Sequence, residues 1–184
     1  MAIFFTSDTH YGHAKILEYC NRPFPDADTM DKIMIERWNA VVRPEDYVFH
    51  LGDFAMGSNL AERTAAIRKR LNGDITIVLG NHDRSANFYR TAGFQDARSS
   101  WSGFMPPQSK CKILMRHRPP ERPLPEHAEY DLILCGHVHE KWLHRGKVVN
   151  VGVDQWGFRP VTLEALLKVN EPGYVHSRWQ PDGH

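Results

Sequence analysis

An α/β domain built on two packed sheets is the fold that this 184-residue sequence predicts, and three observations predict it. In the first half, short runs of Ile, Val, Leu and Phe alternate with amphipathic helical stripes, an order that favours parallel strands joined by helical crossovers. In the second half, helical spacing is scarce, and three further apolar runs are separated by loops. The length suits one compact domain with a sizeable core and is short for two. Residues 1–170 are therefore expected to form a single domain, with a weakly ordered tail over 171–184.

Ala2 to Thr6 reads as a buried strand that runs straight into Ser7-Asp8. Met30, Ile33, Met34, Trp38 and Val41 then follow helical spacing, with Asp28 or Thr29 as the expected N-cap and Pro44 as the stop. Tyr47 to Leu51 is the next strand, and it delivers Gly52-Asp53. Leu60, Thr64, Ile67 and Leu71 make a second helical stripe whose other face carries Arg63, Arg68, Lys69 and Arg70, with Gly73 as the expected C-cap. The β-branched run from Ile75 to Leu79 delivers Gly80-Asn81-His82-Asp83. Later strands are expected at Cys111 to Met115, Leu132 to Cys135 and Val148 to Val151, and a last helix at Leu163 to Val169. Pro119, Pro120, Pro123 and Pro125 interrupt the loops between them.

Five islands carry chemistry: Asp8-Thr9-His10, Gly52-Asp53, Gly80-Asn81-His82-Asp83, His117 and Gly136-His137-Val138-His139. Each ends or follows an apolar run, so in an α/β domain they gather on one rim of a sheet. Together they supply enough carboxylate, amide and imidazole groups to hold two metal ions. Taken singly, most have plainer readings. Asp-x-His after a strand can be a turn with a capping residue, Gly-Asp is a common turn dipeptide, and His117 alone is an ordinary histidine. Their joint occurrence at predicted strand ends favours metal ligation.

Composition narrows the classes. A formal net charge of +1 gives no electrostatic footprint for nucleic acid or an anionic membrane. The three cysteines, Cys20, Cys111 and Cys135, are odd in number and lack CxxC spacing, which argues against a disulfide framework and for a reducing cytoplasm. No run reaches the roughly 18 apolar residues of a membrane span. His139-Glu140 opens like a metalloprotease helix, but Leu143 stands where the second histidine is required. Gly146-Lys147 is followed by Val148, so the nucleotide-binding phosphate loop is absent, as are a Gly-x-Ser-x-Gly elbow and a base-deaminase signature. Trp101, Phe104, Trp156 and Phe158 read as core or wall more than as a base-stacking platform. The sequence carries no signal of oligomeric state.

The ordered set Asp-x-His, Gly-Asp, Gly-Asn-His-Asp, His and Gly-His-x-His resembles the calcineurin-like metallophosphoesterase superfamily over residues 8 to 139. A closer resemblance, to small bacterial and phage phosphoesterases, rests on Ser7-Asp8-Thr9-His10-Tyr11-Gly12-His13, Asn21-Arg22-Pro23-Phe24 and Asn150-Val151-Gly152-Val153-Asp154. It implies a four-layer α/β/β/α sandwich, two mixed sheets flanked by helices, with metals at one edge. Carried over, it puts Asp8, His10 and His139 on one ion and Asn81, His117 and His137 on the other, with Asp53 bridging. It makes His82 the general acid for a leaving alkoxide.

Mixed oxygen and imidazole donors suit two divalent ions, manganese first, with iron, zinc or nickel as alternatives. Such a pair, about 3.5–4 Å apart, activates a bridging water and clamps a phosphate for in-line attack. His13, Arg22 and Asp83 are candidate substrate contacts, each with a plainer reading: a loop histidine, a surface salt bridge, a turn carboxylate. Protein phosphatases of the superfamily follow Gly-Asp with a pattern ending in Asp-Arg, where this chain has Phe54-Ala55-Met56-Gly57. Met56 supplies no carboxylate, so a small phosphomonoester or phosphodiester is expected. A nuclease, a protein phosphatase and a catalytically silent scaffold for protein partners stay as alternatives.

Overall fold

The computed structural model describes residues 1–107, 109–122, 124–169, 171 and 173–176. The chain runs β1 (Ile3–Thr6), α1 (Lys15–Tyr19), α2 (Ala27–Val41), β2 (Tyr47–His50), α3 (Leu60–Arg70), β3 (Asp74–Val78), α4 (Ala86–Thr91) and β4 (Asp96–Arg98). It continues with β5 (Trp101–Phe104), β6 (Ile113–Met115), β7 (Leu132–Cys135), β8 (His144–Arg145), β9 (Val148–Asn150), β10 (Val161–Thr162) and α5 (Leu163–Lys168). Short 3₁₀ turns lie at Pro125–Glu129 and Val153–Gln155.

Two mixed sheets form. The first has the order β10-β1-β2-β3-β4, parallel from β1 to β4, with β10 antiparallel at the edge of β1. The second has the order β5-β6-β7-β9-β8, where β6, β7 and β9 are parallel and the two outer strands antiparallel. The α/β sandwich of two mixed sheets flanked by helices is therefore present. Its outer layer on the second sheet is thin. Among its described residues, the connection from β6 to β7 carries only the 3₁₀ turn Pro125–Glu129, held by Lys147 Nζ donating to the carbonyls of His127 and Tyr130, both at 2.7 Å.

Strand alternation divides the core in two. Phe4, Val48, Ile75 and Ile77 face the helices and pack with Met30, Met34, Trp38 and Ile67. Phe5, Phe49 and Val78 face the second sheet and pack with Ile113, Met115, Leu132, Leu134 and Val149. Trp101, Phe104 and Trp156 pack against this second cluster and Phe158 lies in the first, so all four aromatics serve as core or wall. Ile77 is fully buried. Ile77→Val is expected to destabilise the fold by about 0.5–1.5 kcal/mol, read as a lower urea midpoint at unchanged m-value.

Several boundaries differ from the sequence reading. Asp26 is the N-cap of α2, accepting from Thr29 N at 2.7 Å, because the polar first turn precedes the apolar stripe that marks the helix. Helix α3 ends in extended backbone at Leu71, and Gly73, at φ +88°, makes the turn into β3 instead of capping the helix. Arg68 reaches over that end, donating to the carbonyls of Leu71 and Gly73. Elements α1, α4, β4, β5, β8 and β10 have no counterpart in the sequence reading. The tail expected over 171–184 lies largely outside the described residues. Of its described part, Tyr174 packs on the second core cluster and the His176 ring lies 2.7 Å from the carbonyl of Gln155.

Candidate metal centre

The loops that follow β1 and β2 run side by side. Asp8 N donates to Gly52 O at 2.9 Å, His10 N to Asp53 O at 3.0 Å and Tyr11 N to Phe54 O at 2.9 Å. A parallel bridge from Ser7 to Gly152 and the bond from Val153 N to Ser7 O at 3.0 Å join this rim to the second sheet. The five islands therefore meet at one edge, as their positions after buried strands require. Asp8, His10, Asp53, His137 and His139 all adopt left-handed backbone, with φ between 46° and 69°. That conformation is costly for residues other than Gly and persists where the surroundings impose it, as at functional sites.

Two glycines let the loops close. A Cβ on Gly136 would collide with Ser7 Oγ and Asp8 Oδ2, and one on Gly80 would collide with Asp53. Without side chains there, Asp8 accepts from His137 N at 2.9 Å and Asp53 Oδ1 accepts from His82 N at 2.9 Å.

The expected Asp and His donor atoms fall into two of the three clusters of possible ligands among the described residues, the third being Cys20, His139 and Asp154. Asp8, His10 and His139 form one, and Asp53, His117 and His137 form the other, each with its ligand atoms within 4.8 Å of one another. Asp53 Oδ2 lies between the groups, 3.2 Å from His117 Nε2 and 3.6 Å from His10 Nε2. Asn81 Oδ1 is 3.1 Å from His117 Nε2. His117 Nδ1 donates to Leu51 O at 2.7 Å, which turns Nε2 inward. Asp8 and Asp53 are almost wholly buried, and so is His10, whose Nε2 has no hydrogen-bond partner among the described residues. Two buried carboxylates beside a buried imidazole nitrogen without a hydrogen bond are stabilised by a cation among them. The donor set fits divalent metals.

For His10, His137 and Asp53 the electrostatics favour the form that ligates. Burial pushes the His10 imidazole down to about 2, helped by the Arg22 charge, and burial with the charges of His117 and Arg118 pushes His137 down to about 4. Both rings stay neutral, the form that ligates. Burial opposes the ionisation of Asp53, but the hydrogen bond and charge of His117 outweigh it and hold Asp53 below the carboxylate range. Burial likewise disfavours the charged His117, yet the bond to Asp53 and the charges of Asp8 and Asp53 raise it to about 9. Asp8 is raised, chiefly by burial.

The expected substrate contacts resolve differently. Arg22 is buried, and its guanidinium is fully used within the protein. It donates to Asp154 Oδ1 at 2.8 Å and Oδ2 at 2.9 Å, to Thr9 O at 3.0 Å and to Asp8 O at 2.7 Å, with Met30 Sδ at 3.5 Å. With no N–H left for a phosphate, Arg22 is a buttress of the Asp8 loop. Asp83 accepts from Asp53 N at 2.7 Å, Phe54 N at 3.1 Å, Gly80 N at 2.7 Å and the Tyr89 hydroxyl, so it ties two ligand loops together and does not face a substrate. His13 touches the site through His10, with 3.3 Å between their Nδ1 atoms. His82 is exposed at the rim, its ring 5.6 Å from that of His10.

Asp154 belongs to the site although its role is not readable from spacing. Its Oδ2 lies 3.1 Å from His139 Nδ1, which leaves His139 Nε2 facing Asp8 at 3.8 Å. Burial would raise the carboxyl, but Arg22 and His139 bring it down to about 2. The only sequence signal is its place at the end of Asn150-Val151-Gly152-Val153-Asp154. A carboxylate that fixes a metal-binding imidazole typically governs affinity by about 10–100-fold. Asp154→Asn is expected to weaken metal binding by that factor, read by competition with a chelating dye; unchanged affinity would count against this role.

The family model of the calcineurin-like phosphoesterase superfamily domain matches residues 1–171. The chain belongs to this superfamily. An uncharacterised protein of Methanocaldococcus jannaschii is 32% identical, covering 94% of this chain and 93% of its own. The gene 66 protein of Mycobacterium phage L5 is 27% identical, over 94% of this chain and 98% of its own. A crystal structure of a protein of unknown function from Aquifex aeolicus superposes with a TM-score of 0.72 at 24% identity, covering 91% of this chain and 98% of that one, and shares the fold. Membership in the calcineurin-like superfamily supports metal-dependent phosphoesterase activity, hence a hydrolase, and the two Asp/His groups are its metal-binding candidates. Among the described residues, no helix is long and apolar enough to cross a membrane.

Proposed function

We propose that this chain is a dinuclear metal-dependent phosphoesterase that hydrolyses a small phosphomonoester or phosphodiester. The observation that carries the reading is Asp53 Oδ2, set between two groups of ligand atoms. Asp8, His10 and His139 would hold one divalent ion and Asn81, His117 and His137 the other, with Asp53 shared. When bound, such ions supply Lewis-acid polarisation of a phosphate and activation of water for attack.

The remaining work falls to the protein. His82 hangs from the Asp53 carboxylate by its backbone N–H, so the loop that carries the shared ligand also sets the position of the acid. Its exposed ring is free to give a proton to the departing ester oxygen. Phe54 and Ala55 turn into the core, and Met56 is tied through its N–H to Tyr11 O at 2.9 Å. No carboxylate from this segment reaches His82, which favours a small ester over a phosphoprotein.

Metal content per chain, and turnover of p-nitrophenyl phosphate and bis-p-nitrophenyl phosphate with added manganese, test the reading. We expect turnover that is lost on chelation and restored by metal. Full metal occupancy without turnover of either ester would overturn it in favour of a silent scaffold.

A further inference from the structure

His117 is flanked in the chain by Arg116 and Arg118. A cleft of about 540 Å³ opens beside Asn81 and His117, walled by Ser99, Ser100, Arg116 and Arg118. Its described lining holds no carboxylate. Arg118 also borders a smaller cavity of about 280 Å³ on the His137 side, whose lining includes Glu121, so the Arg118 charge stands between the two openings.

Other arginines near charged ground are matched. Arg22 is paired with Asp154, Arg63 faces Asp31 at 3.5 Å, and Arg98 lies 2.6 Å from Asp96. The polar cleft around Arg63 supplies its own acids, Asp28, Asp31 and Glu62. By contrast, neither guanidinium of Arg116 and Arg118 has a hydrogen bond or ion pair among the described residues. Arg116 is half-buried and Arg118 exposed. Two unmatched cations beside one another repel and focus a positive potential into the cleft, and an anion there relieves both effects.

We propose that this cleft is a second anion subsite, so that the substrate is a phosphate ester bearing a further phosphate group. The substrate assignment rests on the phosphoesterase reading above. The scissile phosphate would bind at the ions that the Asp/His groups would hold, while the second phosphate lies against Arg116 and Arg118, with the hydroxyls of Ser99 and Ser100 beside it. The volume is within the usual range of small-ligand sites, roughly 300–1,000 Å³.

Adenosine 3′,5′-bisphosphate and adenosine 5′-monophosphate serve as probes. Calorimetric titration of the purified protein should give at least about tenfold tighter binding of the bisphosphate, as expected of charge-assisted hydrogen bonds. The double variant R116Q/R118Q should lose that preference. With manganese present, the variant's loss in kcat/KM for the bisphosphate should exceed its loss for p-nitrophenyl phosphate by about tenfold, mostly through KM. Equal binding of the two nucleotides by the wild type, or an unchanged preference in the variant, would overturn the subsite. A preference that is present and arginine-dependent, without turnover of any ester, would keep the subsite and instead remove the phosphoesterase reading.

Discussion

On the proposed dinuclear reading, Asp53→Asn should lower phosphoesterase turnover by roughly 10³-fold or more, because a shared ligand would carry several kcal/mol of Lewis-acid stabilisation through the ions it would hold. Asparagine suits the test for two reasons. It is nearly isosteric, and it tolerates the left-handed backbone that Asp53 adopts at φ 57° better than most residues. The fold should therefore survive, and the deficit should lie in charge and ligation. The amide cannot present two anionic oxygens, one toward His82 N and one toward His10 and His117, as the carboxylate does. Metal content, measured by mass spectrometry of the purified variant, should fall below that of the wild type. Wild-type metal content together with wild-type rate would remove Asp53 from the centre of the mechanism.

His82→Ala should cost about 10²–10⁴ in rate on an alkyl phosphate, whose leaving alkoxide needs a proton, and far less on p-nitrophenyl phosphate, whose leaving group departs as a stable anion. The contrast between substrates is the diagnostic quantity. His82 contributes its backbone N–H to Asp53, and alanine keeps that bond, so the ligand loop should stay in place. Equal losses on the two substrates would assign His82 to binding or structure. Metal affinity should move little, which separates this variant from Asp154→Asn.

Much of the architecture is legible in the sequence because buried strands leave a strong trace. The runs at Phe4-Phe5, Val48-Phe49 and Ile75 to Val78 announce themselves by β-branched and aromatic density, and each hands its ligands to the loop that follows. Strand β4 leaves almost no trace: Asp96-Ala97-Arg98 has charge at both ends and pairs only through its backbone to β3. The cap at Asp26 is hidden by a second aspartate two residues on. Partnerships across the chain are the least legible. Arg22 looks like a phosphate clamp until Asp154, 132 residues away, is found against it. Asp83 looks like a candidate substrate contact until three backbone N–H groups and the Tyr89 hydroxyl are found on its oxygens.

Each donor group draws on both sheets. Asp8 and His10 leave the first sheet while their companion His139 leaves the second, and Asp53 leaves the first while His117 and His137 leave the second. Neither sheet alone supplies a whole donor group, so metal loading would act as a rivet across the seam between them. Its free energy would add to the docking of one sheet on the other as well as to the loops of each sheet that share an ion. Chelation should therefore loosen the seam first: protection of backbone amides near Ser7, Gly136 and Gly152 would fall in hydrogen exchange while the centres of β2 and β7 keep theirs.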